Sequence, residues 1–204
     1  MNEIAIYLAS RSPRRRELLR QIGVNFELIP LREGAGRGAD VDETPHVGES
    51  ADDYVLRVAC DKARAAANIV AARRIVARPV VAADTTVICD EDILGKPANA
   101  DEATQMLSRL AGRTHRVLTA VAVAAENRMQ TRVSESRVWF RSLEAAEIRR
   151  YVAAGESHDK AGGYAVQGLA AAFITRIDGS YSGIMGLPLA ETAELLRSYG
   201  ISIP

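Results

Sequence analysis

Ser10, Ser12 and Pro13 run directly into Arg14, Arg15 and Arg16, a placement that puts three cations in the first turn of a helix. A helix N-terminus already carries partial positive charge and unpaired amide N–H groups, so arginines there repel it unless an anion lies among them. A phosphate-bearing ligand resolves that conflict, with the Ser10 and Ser12 hydroxyls as further donors; a solvated arginine cluster is the alternative. Lys62 poses a second question, since it falls in the middle of a face formed by Val55, Val58, Ala59, Ala66 and Ile69 at helical spacing. An ammonium there needs an acidic or phosphate partner, or must snorkel to the edge. Asp84 interrupts the apolar run Val80 to Ile88 beside Thr85 and Thr86. A carboxylate in such a strand calls for a divalent metal or a lysine, a structural pairing with arginine being the plainer reading. Lys96 is mounted stiffly between Gly95 and Pro97, and Asp42 and Glu43 end a glycine-rich loop from which a carboxylate pair could complete a magnesium shell. In Asp159 to Gly168, glycines allow close backbone approach, and Gln167 offers the paired donor and acceptor that suit the edge of a base.

The elements that must position these groups follow from hydrophobic period and from start and stop residues. Ile4 to Ala9 predicts a strand, Arg14 to Ile22 an amphipathic helix closed by Gly23, and Phe26 to Pro30 a second short strand. Leu31 to Glu49 reads as a loop, mobile without ligand, holding Gly34, Gly36, Gly38 and Gly48. Ser50 and Asp53 form a capping box for a long Ala-rich helix to about Arg74. Val80 to Cys89 has the composition of a strand buried on both faces, and Ile93 to Gly95 returns as a short strand. Asp101 to Leu110 predicts a helix with Ala103, Met106, Leu107 and Leu110 on one stripe. Two long strands, His115 to Ala125 and Gln130 to Arg141, come next, then a helix Leu143 to Ala154 capped by Ser142. Gly155 to Gly163 reads as a loop, Tyr164 to Ile177 as strand, and Pro188 to Tyr199 as the last helix. Strands and helices alternate early while strands adjoin in the middle, which predicts one α/β domain over residues 1–204 with a mixed twisted sheet flanked by helices.

Composition bounds the partners. Lys and Arg number 26 against 26 Asp and Glu, so the 204-residue chain has no net positive field for a polynucleotide. Cys60 and Cys89 lack CxxC spacing and fit small buried thiols in a reducing compartment. No signal-peptide architecture and no apolar run of membrane-spanning length occurs, so the expectation is a cytoplasmic protein without a membrane partner. There is no GxxxxGK[ST] or GxGxxG phosphate loop, no GxSxG elbow, and His46, His115 and His158 have no zinc-ligand spacing.

The segments Leu8 to Leu19, Ala83-Asp84-Thr85, Gly95-Lys96-Pro97, Asp159-Lys160-Ala161-Gly162 and Gly186-Leu187-Pro188-Leu189, in this order, resemble the Maf family of nucleoside triphosphate pyrophosphatases, and most closely its dTTP/UTP branch. The resemblance implies a two-lobed α/β architecture shared with inosine triphosphate pyrophosphatases, the nucleotide lying in a central cleft. It also implies hydrolysis between the α- and β-phosphates to a monophosphate and pyrophosphate, with a divalent cation, Mg²⁺ or Mn²⁺. By that resemblance Asp84 is the proton acceptor and, with Glu43, a metal ligand. Ser10, Arg15, Lys62 and Lys96 would bind phosphates, and Arg14, Thr85 and Gln167 would set base preference against 7-methyl-GTP. A homodimer is implied as well. The family's link to arrest of septum formation supplies the alternative expectation, a nucleotide-binding regulator without significant turnover.

Overall fold

The computed structural model describes residues 4–32 and 38–203, so the expected loop glycines Gly34 and Gly36 lie outside the described residues. Contacts divide the chain into two units: one comprises Met1–Asp84, Thr119–Val133 and Gly186–Pro204, the other Thr85–Leu118 and Ser134–Met185. The sheet is mixed and seven-stranded, in the order β2 (Phe26–Leu28), β1 (Ile6–Leu8), β3 (Val80–Cys89), β5 (Thr114–Ala125), β6 (Arg128–Phe140), β7 (Ile174–Asp178), with β4 (Asp92–Leu94) paired to β3. The expected class and most expected elements are therefore present.

In the first unit, β1 (Ile6–Leu8) pairs in parallel with β2 (Phe26–Leu28) and with the start of β3 (Val80–Cys89). Parallel neighbours need a crossover, and helices supply it: α1 (Pro13–Gln21) between β1 and β2, and α2 (Ala51–Ala72) before β3. α1 buries Leu18 and Leu19, whereas α2 buries Val55, Val58, Ala59, Ala63, Ala66 and Val70 at spacings of three and four. All six are alanine or valine, of small volume, which keeps this helix close to its neighbours. Its start is fixed by the Ser50 side chain, which accepts from the Asp53 N–H at 3.1 Å. Thr119–Val133 contributes the end of β5 (Thr114–Ala125) and the start of β6 (Arg128–Phe140), and α6 (Leu189–Ser198) completes the unit.

In the second unit β3 turns back through Asp90, at φ 58°, into β4 (Asp92–Leu94), with Val87 opposite Leu94. α3 (Ala100–Leu110) buries the anticipated Ala103, Met106, Leu107 and Leu110, and its N-cap is Asn99, accepting from the Glu102 N–H at 2.9 Å. The remaining elements are α4 (Ala145–Ala153), β7 (Ile174–Asp178), antiparallel to β6, and the short α5 (Tyr181–Met185). Phe140, Tyr164 and Phe173 stack edge to face at the centre of this unit's core.

Two expectations about local structure fail, both because a carboxylate takes backbone donors. Tyr164 to Ile177 is not one strand: Ala161–Gly163 and Leu169–Phe173 are 3₁₀ turns, and only Ile174–Asp178 is strand. The Glu156 carboxylate accepts from the Leu169 and Ala170 N–H groups at 2.8 and 3.2 Å, removing them from any ladder. Likewise α4 is capped by Glu144 rather than Ser142, since the Glu147 carboxylate reaches back to the Glu144 N–H at 3.1 Å. α5 was not anticipated; Ser180 Oγ starts it by accepting from the Gly183 N–H at 3.0 Å. Among the described residues no helix is long and apolar enough to cross a membrane.

Candidate active site

β1 delivers Ala9 and Ser10, both buried, to the start of α1. Ser12 sits in N-cap geometry but its side chain makes no cap bond; instead its own N–H donates to Ser10 Oγ at 3.2 Å. Arg15 donates from a terminal nitrogen to the same Ser10 Oγ at 3.4 Å and from Nε to the Gly186 carbonyl at 2.7 Å. The guanidinium is thus aimed by β1's exit on one side and by the segment preceding α6 on the other. Arg14, Arg15 and Arg16 are all half-buried in the first turn of α1, where no acidic residue offsets them within that turn.

Lys62 and Asp84 meet, one of the several partnerships the sequence left open to each. Asp84 is 7% exposed on β3, and its Oδ1 lies 2.7 Å from Lys62 Nζ. The same ammonium lies 3.1 Å from Glu43 Oε1, so two carboxylates from separate segments converge on one cation. The lysine does not sit within the apolar stripe of α2; it stands at its edge, with 13% of its side chain exposed. Asp84 and Glu43 are hard oxygen donors of the kind that a divalent cation such as Mg²⁺ or Mn²⁺ takes, and here both face the Lys62 ammonium. Two carboxylates fit such an ion; among the described residues no group of three or more His, Cys, Asp and Glu forms a closed metal cage.

Tyr54 and Arg57, on the same helix, were not singled out in the sequence. Tyr54 donates from its hydroxyl to the Glu43 carbonyl at 3.0 Å, and its phenol is held above the usual range by burial and then by the nearby Asp84 and Glu43 charges. Arg57 binds the Glu49 carboxylate, from Nε at 2.6 Å and from a terminal nitrogen at 2.9 Å, which holds Glu49 down to about 2. Their spacing offered no signal beforehand: Arg57 lies five residues from Lys62, about 140° around the helix, and so off its face.

The other expected residues, Thr85, Lys96 and Gln167, belong to the second unit, and the unit division falls between Asp84 and Thr85. Lys96 is exposed on the Gly95-Lys96-Pro97 turn, which the Gly162 N–H fixes by donating to the Gly95 carbonyl at 3.0 Å. Gly162 has φ 65°, and a Cβ there would stand 3.0 Å from Val87 Cγ1, so this position requires glycine for both reasons. Gln167 is exposed between the buried Val166 and the 3₁₀ turn that Glu156 caps; a Cβ on Gly168 would collide with that carboxylate. Glu156, which the sequence reading passed over, therefore fixes the backbone on which Gln167 is presented.

Set against known proteins, residues 5–199 match the profile of the family described as Maf-like protein. The chain is 57% identical over 196 residues to the dTTP/UTP pyrophosphatase of Aromatoleum aromaticum, covering 96% of this chain and 95% of that one. It is 56% identical to the dTTP/UTP pyrophosphatase of Cupriavidus metallidurans over 96% of this chain and 97% of the other. Among solved structures, the Ham1 protein of Staphylococcus aureus aligns with a TM-score of 0.41 at 16% identity, over 66% of this chain and 69% of that one. With a family profile spanning all but its ends and relatives at more than half identity across its length, this chain belongs to the Maf family.

Proposed function

We propose that the protein is a nucleoside triphosphate pyrophosphatase that hydrolyses dTTP and UTP, and modified pyrimidine triphosphates of the same shape, to the monophosphate and pyrophosphate. The observation that carries the reading is the convergence of Asp84 and Glu43 on Lys62, in a chain whose relatives at 56 and 57% identity bear the dTTP/UTP pyrophosphatase name. Hydrolysis of the α–β anhydride requires a water aligned with the α-phosphorus and positive charge on the departing pyrophosphate. Asp84, on a buried strand and hydrogen-bonded by Lys62, is held rigidly enough to accept the proton of that water. Lys62 then serves the phosphate oxygens while remaining paired with the acid. Arg15, with Ser10, contributes donors at the start of α1, where the helix dipole adds to the attraction for an anion. Lys96 supplies a further cation on its stiff turn.

A divalent cation held by Asp84 and Glu43 supplies charge neutralisation on the triphosphate when bound. Arg14, Thr85 and Gln167 are assigned to the base. Gln167 can pair with the imide edge of thymine or uracil, and a base with a mismatched edge would leave its amide unsatisfied. A homodimer in the cytoplasm is the setting the reading implies.

Pyrophosphate release from dTTP, UTP, CTP, GTP and 7-methyl-GTP, with Mg²⁺ or Mn²⁺, tests this directly. Activity confined to dTTP, UTP and their analogues and abolished in Asp84→Asn is the expected result. Robust cleavage of 7-methyl-GTP overturns the roles of Arg14, Thr85 and Gln167, wild-type kcat in Asp84→Asn overturns the proton acceptor, and binding without turnover in the wild type makes the protein a nucleotide-dependent regulator.

A further inference from the structure

Glu43 lies on a segment with no regular secondary structure, yet its backbone is held on three consecutive peptides. Arg57 donates to the Asp42 carbonyl at 3.0 Å and to the Thr44 carbonyl at 3.0 Å, and Tyr54 donates to the Glu43 carbonyl between them at 3.0 Å. All three bonds come from α2, which five residues beyond Arg57 presents Lys62 to the Glu43 carboxylate. The Arg57 guanidinium also grips Glu49 with two bonds, so both ends of the 42–49 segment are tied to one planar fork. Four N–H groups pointing in fixed directions meet four separate oxygens; a lysine, with three donors on one nitrogen, cannot reproduce this.

We propose that Arg57, assisted by Tyr54, is a positioning residue for the reaction: it clamps the 42–49 segment to α2 and so sets the place of the Glu43 carboxylate beside Lys62 and Asp84. The Arg57 side chain is 21% exposed and that of Glu49 9%, so the Glu49 end of the clamp is partly shielded, while the bonds to the Asp42, Glu43 and Thr44 carbonyls lie at the surface and hold by their number and direction. The Arg57 and Tyr54 donors are taken up by Asp42, Glu43, Thr44 and Glu49, so the clamp acts through Glu43. Without the clamp, substrate still binds but Glu43 stands out of place in most of the bound complexes, so loss of the clamp weighs on kcat more than on KM. The inference rests on the role given above to Glu43.

The test compares pyrophosphate release by wild type, Glu43→Gln, Arg57→Ala, Arg57→Lys, Tyr54→Phe and the double variant Arg57→Ala/Glu43→Gln, together with amide exchange over residues 43–49. Arg57→Ala is expected to lose about 10- to 100-fold in kcat, the range for partners that orient a ligating group, with a smaller change in KM. Arg57→Lys does not restore it. Tyr54→Phe, which keeps the ring and so the packing, shows a smaller loss in the same direction. The double variant is no slower than Glu43→Gln alone, and exchange over 43–49 accelerates in Arg57→Ala. Wild-type kcat in Arg57→Ala beside an impaired Glu43→Gln overturns the clamp while leaving Glu43 in place. Losses that multiply in the double variant also overturn it, because Arg57 then acts elsewhere. Wild-type kcat in Glu43→Gln overturns the assignment of Glu43 itself, which separates that failure from the clamp's.

Discussion

His115 should make this protein acid-sensitive by a calculable amount. The ring is 2% exposed in the second unit's core, edge-on to Phe140 and Tyr164, with Nε2 2.8 Å from the Tyr164 hydroxyl. Among the described residues its Nδ1 has no hydrogen-bond partner, and burial pushes its pKa down to about 4. In the unfolded chain the same ring titrates near 6.5. The folded state therefore binds fewer protons than the unfolded one between those values, and stability that is fully present above pH 6.5 is lost as the pH falls toward 4. By pH 4.5 the loss amounts to about 2 to 3 kcal/mol. Urea unfolding of wild type and His115→Gln at pH 7.5 and 4.5 isolates it. Carboxylates such as Glu49 and Glu147, both held down to about 2, titrate alike in the two proteins and cancel in the comparison. Wild type should lose about 2 to 3 kcal/mol more than the variant over that interval, and parallel losses would refute the argument. Tyr164 leads in three residues to Gln167, so faster amide exchange over 164–167 should accompany the loss at low pH.

Two further changes separate chemistry from scaffold. Lys62→Met keeps an unbranched stem at this position of α2 and removes the charge between Asp84 and Glu43; kcat for dTTP should fall about 100-fold, and a loss of folding stability with kcat per folded molecule unchanged would assign Lys62 a purely structural part. Gly162→Ala must place a methyl within 3.0 to 3.1 Å of Val87 at a φ of 65°, so unfolding in urea should show about 1 to 3 kcal/mol of destabilisation, and an unchanged midpoint would mean that the turn shifts freely away from Gly95.

Much of this architecture is legible because local rules and tertiary packing agree. The stripe Ala103, Met106, Leu107 and Leu110 fixes one face of α3 whatever lies opposite, and the near-continuous apolar and β-branched run Val80 to Cys89, interrupted at Asp84, has the composition of an interior strand. Asp84 and Lys62 stand out for the converse reason, each being a charge in an apolar setting that must find a partner; they find each other. The misreadings share one cause. Tyr164 to Phe173 has strand composition, but Glu156, distant by 13 residues from Leu169, captures its amides; Glu147 moves the start of α4 in the same way. A side chain that acts on backbone several residues away leaves no period in the sequence. Arg57 was invisible on that account too, since its value lies in carbonyls 13 and 15 residues distant, and carbonyls are the same at every position.

The charges gathered around Lys62 also dictate how nucleotide and metal should depend on each other. One ammonium and two carboxylates leave the group with a net charge of −1, which repels a bare triphosphate and attracts a divalent cation. A metal-bearing nucleotide therefore suits this corner of the protein better than a free one. Asp84→Asn brings the same group to zero while keeping an oxygen that can accept from Lys62. Nucleotide binding in EDTA should then tighten in the variant, by about 1 kcal/mol or about fivefold for a single charge at close range in a wet setting, whereas binding in Mg²⁺ should weaken. Calorimetric titration with a non-hydrolysable dTTP analogue reads both arms on one sample. Opposite signs in the two buffers follow only if Asp84 faces the triphosphate and its cation together. Weakening in both would mean that the carboxylate merely orders Lys62, and the proton acceptor would have to be sought elsewhere.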